Sequence, residues 1–498
     1  MRQRTAILLL LLLTGAAILI QGYHPGLEDD AYYLAAIKQD LHPTLFPHDS
    51  EFLRIQFQAT IFDKLIAFSV RLTHLPVASV VLLWQIAATF FILHGCLRIS
   101  RHCFDRPEAQ WCATALIAAL LSLPIPGAAV LISDQYLHPR ALATAIILAA
   151  IVAVVDRKLW LAGILLTVAL SLHALMAAFG ISFCAFLAWS LRTADAPIPS
   201  AVPALALVFP LGWIFEPAND AWRRAASSRG FYFLRNMQWY EWLGVFAPLL
   251  LLYLFQRYLL ARADSNRASA LRPLTTSLLR YGIFQTVVGI SVMLPARLER
   301  LRPFEPMRYL HLLYLLFFLI VGGLLGAYLL DRRLYRWALL FVPLSAGMFY
   351  AQRQMYGAYP HLELPFVREQ NGWLQAFNWI RQNTPEDALF ALDPHYMKLP
   401  DEEYHGFRAL AERSVLCDYD KDGGMAARVP SLAPRWLKEA TALDGWRNFH
   451  FDDYARLRRE FGVTWILLSR DDAQYAATES TWMNCPYSNQ DVKVCHLP

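Results

Sequence analysis

The chain has 498 residues, 56% of them hydrophobic and only 17% charged, with a mean hydropathy of +0.33. A soluble domain carries about 25% charged residues, so an ordinary soluble enzyme is excluded. The net charge of +5 combines 38 Arg and 7 Lys with 40 acidic residues, and no nucleic-acid partner is expected. A GC-rich genome accounts for most of such an Arg excess, so the positions of the arginines carry more than their number.

A bilayer crossing takes roughly 20 apolar residues. Apolar runs recur from Ala6 to about Tyr356, whereas the tail from His361 to Pro498 has ordinary globular composition. The expected fold is therefore an α-helical polytopic membrane protein of about eleven transmembrane helices over residues 1–357, with a first outer loop at 23–53. Residues 358–498 are expected to form an extracytoplasmic α/β domain. Spans are expected at Ala6–Ile20, Leu75–Leu97, Trp111–Ile132, Ala141–Val155, Leu159–Leu172, Leu175–Leu191, Ala201–Phe215, Trp242–Leu260, Thr275–Leu294, Tyr309–Leu330 and Trp337–Tyr356. The first has no small-x-small cleavage site and reads as an uncleaved span. The run from Leu159 to Leu191 is split at His173, because a polar His suits a surface turn better than hydrocarbon. Basic segments such as Met1–Arg4, Arg98–Arg106 and Asp331–Arg336 then fall on one side, which the positive-inside rule makes cytoplasmic. The expected location is a bacterial inner (cytoplasmic) membrane, with the N-terminus cytoplasmic and the C-terminal domain periplasmic.

The outer loops hold the polar chemistry. Glu28, Asp29 and Asp30 follow the first span, and three adjacent carboxylates need a cation, a cationic substrate group or a proton to offset their repulsion. One of them with a raised pKa would serve as a general base; the alternative is that they cap a helix over Ala31–Gln39. Arg140 follows SDQYLHP. Arg223, Arg224, Arg229 and Arg235 lie in one outer loop, and Arg297, Arg300, Arg302 and Arg308 crowd another. A guanidinium fork matches phosphate oxygens, against the alternative of snorkelling to ordinary lipid headgroups. His24, His42 and His48 read as hydrogen-bonded loop residues, while His138 and His173, at the outer ends of spans, are placed to contact a phosphate or a sugar hydroxyl. Cysteine and histidine spacing indicates no metal motif.

In the tail, Asn371–Gln382 reads as a helix ended by Pro385, with buried strands at Ala388–Leu392 and Thr464–Leu468. KDGG at Lys421–Gly424 reads as a turn. Asp418, Asp420 and Asp422 read as part of a solvated turn rather than a calcium loop, since no Glu closes the EF-hand spacing. With this tail outside the cytoplasm, Cys485 and Cys495 are placed to close a hairpin by a disulfide.

Asp29, Asp30, Ala31, Tyr32 and Tyr33 read D-D-A-Y-Y, which resembles the D-E-A-R-Y-A first outer loop of lipid A aminoarabinose transferases and related protein mannosyltransferases in the GT-C superfamily. Tyr32 stands where Arg is usual. WIRQNTPEDALFAL (Trp379–Leu392) and YARLRREFGVTWILLS (Tyr454–Ser469) resemble the soluble domains of many GT-C proteins. SDQYLHPR, RLRPFEPMRYLH and RSVLCDYD resemble uncharacterised bacterial polytopic proteins whose C-terminal part is a domain of unknown function. The resemblance implies a glycosyltransferase that uses a polyprenyl-phosphate-linked sugar as donor and an envelope glycan, lipid or protein as acceptor. It implies Asp29 as the leading catalytic residue, with Glu28 and Asp30 as neighbouring candidates, and a divalent metal such as Mg or Mn as an open question. Arg297, Arg300, Arg302 and Arg308 would hold the donor phosphate, with Arg140, His138 and His173 as secondary candidates. The competing expectations are a lipid-linked glycan carrier or flippase that grips phosphate with the same arginines, and a non-catalytic envelope scaffold derived from a transferase.

Overall fold

The computed structural model describes residues 3–53, 60–192, 218–259, 271–367, 371–397, 404–476 and 483–497. The protein is mostly helical. Its N-terminal part contains α1 (Gln3–Gln21), α2 (Asp30–Leu41), α3 (Phe62–Thr73), α4 (Val77–Cys103), α5 (Pro107–Ala119), α6 (Pro139–Val155), α7 (Leu159–Leu172), α8 (Ala174–Ser190), α9 (Asp220–Ser227), α10 (Trp239–Leu254), α11 (Leu271–Met293), α12 (Tyr309–Leu324) and α13 (Leu334–Met355). Among the described residues, Gln3–Gln21, Val77–Cys103 and Pro306–Leu330 are long and apolar enough to cross a membrane. The apolar helices α6, α7 and α8 are shorter. The expected span at Ala201–Phe215 lies outside the described residues.

The run between Leu159 and Leu191 does break at His173. Its backbone leaves helical geometry there and its ring Nδ1 accepts the Met176 N–H, capping α8. The run Trp111–Ile132 is not one helix, which corrects the sequence reading. α5 stops at Ala119 and the chain turns into a hairpin, β1 (Pro124–Ile125) paired with β2 (Val130–Leu131). Pro124 and Pro126 have no N–H to extend a helix, and Gly127 takes a left-handed φ of 69°. Hydropathy alone is blind to this break. Helix α3 was also not foreseen; it buries Phe62 and Ile66, one turn apart, against the helical core.

The C-terminal part contains α14 (Gly372–Asn383), β3 (Leu389–Ala391), α15 (Phe407–Ala411), β4 (Ser414–Val415), α16 (Tyr419–Arg428), α17 (Ala433–Ala442), α18 (Phe451–Phe461), β5 (Trp465–Ser469), β6 (Asn484–Ser488) and β7 (Val492–His496). The strands form one sheet in the order β4-β3-β5-β7-β6, with β3 parallel to β4 and β5, and β7 antiparallel to β5 and β6. Every residue of β5 is buried, as expected of a strand covered on both faces. Trp465 and Leu467 face a core with Trp373, Phe377 and Ile380 of α14; Ile466 and Leu468 face a second core with Trp436, Trp446 and Tyr454. Asn371 caps α14 by accepting the Trp373 and Leu374 N–H groups.

The segment at 23–53 is built into these cores. Leu27 and Ala31 belong to the α14 side of the sheet, Tyr32, Ala35, Phe46 and Phe52 to the other, and Leu34 and Ile37 to the helical core. Helix α2 thus buries side chains in all three, and its N-terminus sits where helices and sheet domain meet.

Candidate functional site

Asp29 occupies the N-cap position of α2 but makes no capping hydrogen bond. The turn is secured instead by Asp30, whose Oδ2 accepts the Gly26 N–H at 2.6 Å. The Asp29 side chain is left for tertiary contacts, with 38% of it exposed. Its Oδ1 lies 3.1 Å from Lys421 Nζ and 3.9 Å from a terminal Arg229 nitrogen. Lys421 Nζ is also 3.1 Å from Glu28 Oε2. The side-chain capping foreseen for the acidic triad is therefore not made: Asp30 ties down the turn ahead of α2 through the Gly26 N–H, and Asp29 and Glu28 face Lys421.

Burial alone would push the Asp29 carboxyl up, but Lys421 and Arg229, with His138 and Arg308, outweigh it and hold the group well below the usual carboxylate range. Asp30 goes the other way, pushed up to about 7 mainly by burial, against the Gly26 hydrogen bond. The raised carboxylate expected of a general base is thus the one that is 1% exposed and turned into the loop.

Lys421 comes from the segment read as a turn. KDGG is helical: Asp418 caps α16 by accepting the Lys421 N–H at 3.0 Å. The two glycines serve close approach instead. A Cβ on Gly423 would stand 2.6 Å from Ser228 Oγ, and one on Gly424 3.0 Å from Arg229 Nε. This contact is what lays Arg229 beside Lys421. The solvated-turn reading also fails, because Asp418, Asp420 and Asp422 are buried. Asp422 receives two nitrogens of Arg408, at 2.9 and 2.8 Å, and the Tyr32 hydroxyl. Arg408 also binds Asp49. Tyr32 therefore ties the segment at 23–53 to the helix that carries Lys421, through Asp422, 390 residues later.

The opposite wall holds Arg308, paired with Glu305, whose other oxygen takes Arg428 at 2.8 Å. These residues, with Asp29, Tyr33, Thr60, Leu172, His173, Arg229 and Lys421, enclose a cavity of about 220 Å³. Four of its cationic side chains face two carboxylates, Asp29 and Glu305, an excess suited to a phosphate. His173 lines it with Nδ1 committed to capping, which leaves Nε2 to carry the ring proton.

Of the arginines expected at the phosphate, Arg308 alone lines this cavity. Arg297 is exposed, Arg300 lies over the Trp222 ring at 5.8 Å, and Arg302 donates to Met293 O at 3.0 Å and stacks on Phe233. A nine-residue 3-10 segment, Ala296–Phe304, turns them away. Arg140 contacts both Asp134 oxygens at 2.6 Å beside a second cavity. His138 is buried, its Nδ1 capping α6 and its ring 6.0 Å from that of His173. His48 bonds Asp387 O, and His24 and His405 flank Glu363 at 2.6 and 2.9 Å. Cys485 and Cys495 are joined by a disulfide.

The sequence reading missed Lys421, Arg428 and Glu305, and placed Arg229 only in an arginine-rich loop. One signal was available for Lys421: Asp418 three residues ahead of it is an N-cap pattern. A divalent metal does not fit this donor set. The Lys421 ammonium already sits against both Glu28 and Asp29, and among the described residues no three His, Cys, Asp or Glu side chains gather as ligands.

A model of the family described as "Domain of unknown function (DUF6798)" matches residues 371–429, the stretch that carries Arg408, Lys421 and Arg428. No curated protein matches the chain. Among solved structures, the chain is similar to the crystal structure of the Archaeoglobus fulgidus oligosaccharyltransferase complex with Zn and sulfate, at 13% identity and a TM-score of 0.43, over 93% of this chain and 67% of that one.

Proposed function

We propose that this protein is a membrane glycosyltransferase that moves a sugar from a polyprenyl-phosphate carrier to an envelope acceptor at the outer face of a bacterial inner membrane. The observation that carries the reading is at Leu172. This residue lines both the charged cavity around Asp29 and an apolar groove of about 710 Å³ between α3, α4, α6 and α7. The groove follows α6 from Leu142 to Asp156, roughly 21 Å at the helical rise of about 1.5 Å per residue. That is most of a hydrocarbon core about 30 Å thick. An anionic head with a long isoprenoid tail matches a cationic cavity that shares a wall with such a groove. In this reading the N-terminus is cytoplasmic and residues 358–498 form a periplasmic domain over the outer cavity.

In the transfer, an acceptor hydroxyl oxygen attacks the anomeric carbon. The new C–O bond forms as the bond from that carbon to the phosphate oxygen breaks, and the bonding pair leaves with the polyprenyl phosphate. Arg229, Arg308, Lys421 and Arg428 face the charge that gathers on the leaving phosphate. Asp29 takes the hydroxyl proton. Before donor binds, Lys421 and Arg229 hold Asp29 too low to be an effective base. A phosphate competes for the same N–H donors, and each one it takes raises the proton affinity of Asp29. Donor binding thereby prepares the base.

The test is transfer of radiolabelled sugar from polyprenyl-phosphate donors by purified protein in lipid, beside direct donor binding. Transfer by wild type, lost in Asp29→Asn with donor binding retained, supports the reading. Donor binding with no transfer by wild type would favour a lipid-linked glycan carrier, for which Arg98 and Lys158 at the far end of the groove offer a second charged station, or a scaffold.

A further inference from the structure

A second and larger cavity, about 900 Å³, lies on the other side of Asp29, which it shares with the first together with Arg229 and Arg308. Thr60, Leu172 and His173 line the first cavity and not the second, and Leu172 also lines the apolar groove, which puts the groove on that side. Tyr136, Phe231, Tyr240 and Tyr356 line the second alone. We propose that this second cavity is the acceptor subsite and that the acceptor it takes is a carbohydrate, a glycan whose hydroxyl is presented to Asp29.

This inference rests on the transferase reading for the role of the subsite, and on the lining itself for the ligand class. Glu28, half exposed on this side, accepts hydrogen bonds only. Arg229, 15% exposed on the wall that the two cavities share, donates hydrogen bonds only. The cavity thus offers both acceptors and donors, and a sugar hydroxyl can satisfy either. A phosphate at neutral pH supplies acceptors almost alone, and Glu28 would repel it. Tyr240, 56% exposed, and the half-buried Phe231 add open aromatic surface of the kind that covers the C–H face of a pyranose. A few placed polar groups amid aromatic walls are the usual composition of a small-molecule site. The arrangement is then donor on the groove side, acceptor on the aromatic side, and the carboxylate between them.

The experiment uses the full chain in lipid nanodiscs with two probes measured separately: N,N′-diacetylchitobiose and maltotriose by saturation-transfer NMR, and polyprenyl phosphate by direct titration. At least one saccharide is expected to bind wild type. Tyr240→Ala and Phe231→Ala are each expected to weaken it by about tenfold, the effect of losing one ring contact; polyprenyl-phosphate affinity is expected to stay within about twofold of wild type in Tyr240→Ala, whereas Phe231 lies 5.9 Å beneath the Arg229 guanidinium and its variant is read for saccharide alone. Tyr240→Phe is expected to restore most of the saccharide binding, because the ring face is kept. If Tyr240 only anchors the protein at the membrane interface, saccharide binding will not move in Tyr240→Ala, and that result overturns the proposal. Polyprenyl phosphate bound without either saccharide overturns the carbohydrate class and leaves the transferase reading standing. Neither probe bound by folded protein overturns both.

Discussion

Lys421 Nζ lies 3.1 Å from Asp29 Oδ1 although 392 residues separate them. The contact joins a loop after the first helix to a helix of the sheet domain, and neither half of the site is complete without the other. Lys421→Met removes the buried cation and leaves Glu28 and Asp29 facing each other. Donor affinity is expected to fall at least tenfold, since a charge-assisted contact to phosphate is lost. Titration of polyprenyl phosphate into nanodiscs checks this, and unchanged affinity would remove Lys421 from the phosphate site.

Asp29→Asn keeps the shape of the side chain and removes the carboxylate proposed as the base. Turnover is expected to drop by about a hundredfold or more while donor binding holds or tightens, because a carboxylate beside the phosphate is gone. Single-turnover transfer with bound donor separates the two effects.

Arg302→Ala and Arg297→Ala are expected to leave turnover within about twofold of wild type, as for surface changes away from a site. Both side chains lie outside the cavity walls. A large loss in either variant would show that the 3-10 segment rearranges around the donor.

Ala149 lines the apolar groove. Ala149→Trp is expected to fill it and to lower kcat/KM for a long-chain donor by about tenfold or more, the cost of displacing a few buried methylenes, while a geranyl-phosphate donor is used as before. Equal losses for both chain lengths would place the tail elsewhere.

Glu363 holds its carboxyl at about 2, against 4.5 in the free side chain. Burial opposes this, and the His405 and His24 contacts overcome it. The unfolded chain therefore takes up this proton first as pH falls. The stability that Glu363 contributes is complete above pH 4.5 and is lost as the pH falls toward 2, a total of about 3 kcal/mol. Asp30, raised to about 7 from 3.8, acts in the opposite sense: the folded form keeps its proton longer, so its term weakens stability as pH rises from about 4 to 7. Thermal unfolding from pH 3 to 7 for wild type and Glu363→Gln checks the first effect. The variant should lose the acid-side slope.

The chain itself specified what depends on local periodicity and on single breakers. The apolar runs, the split at His173, the helix before Pro385 and the buried strand of Trp465–Ser469 are properties of short windows, and the sequence reading had them. Hydropathy averaged away Pro124, Pro126 and Gly127, so a hairpin was read as the end of a span. The acidic triad was visible, but which carboxylate spends itself on the Gly26 N–H and which faces the cavity depends on one turn of backbone.

Tertiary packing decided the cations. Arg297, Arg300 and Arg302 formed the densest basic cluster in the sequence, yet a single run of 3-10 helix points them away and leaves Arg308. Lys421 stood in a segment whose glycines suggested a turn, because a glycine needed for close approach between helices looks the same in a sequence as one needed for a turn. Electrostatic partnership falls off over a few ångströms while chain distance sets no such limit, so Lys421 reaches Asp29 only because Asp422, Arg408 and Tyr32 hold the sheet domain against the segment at 23–53.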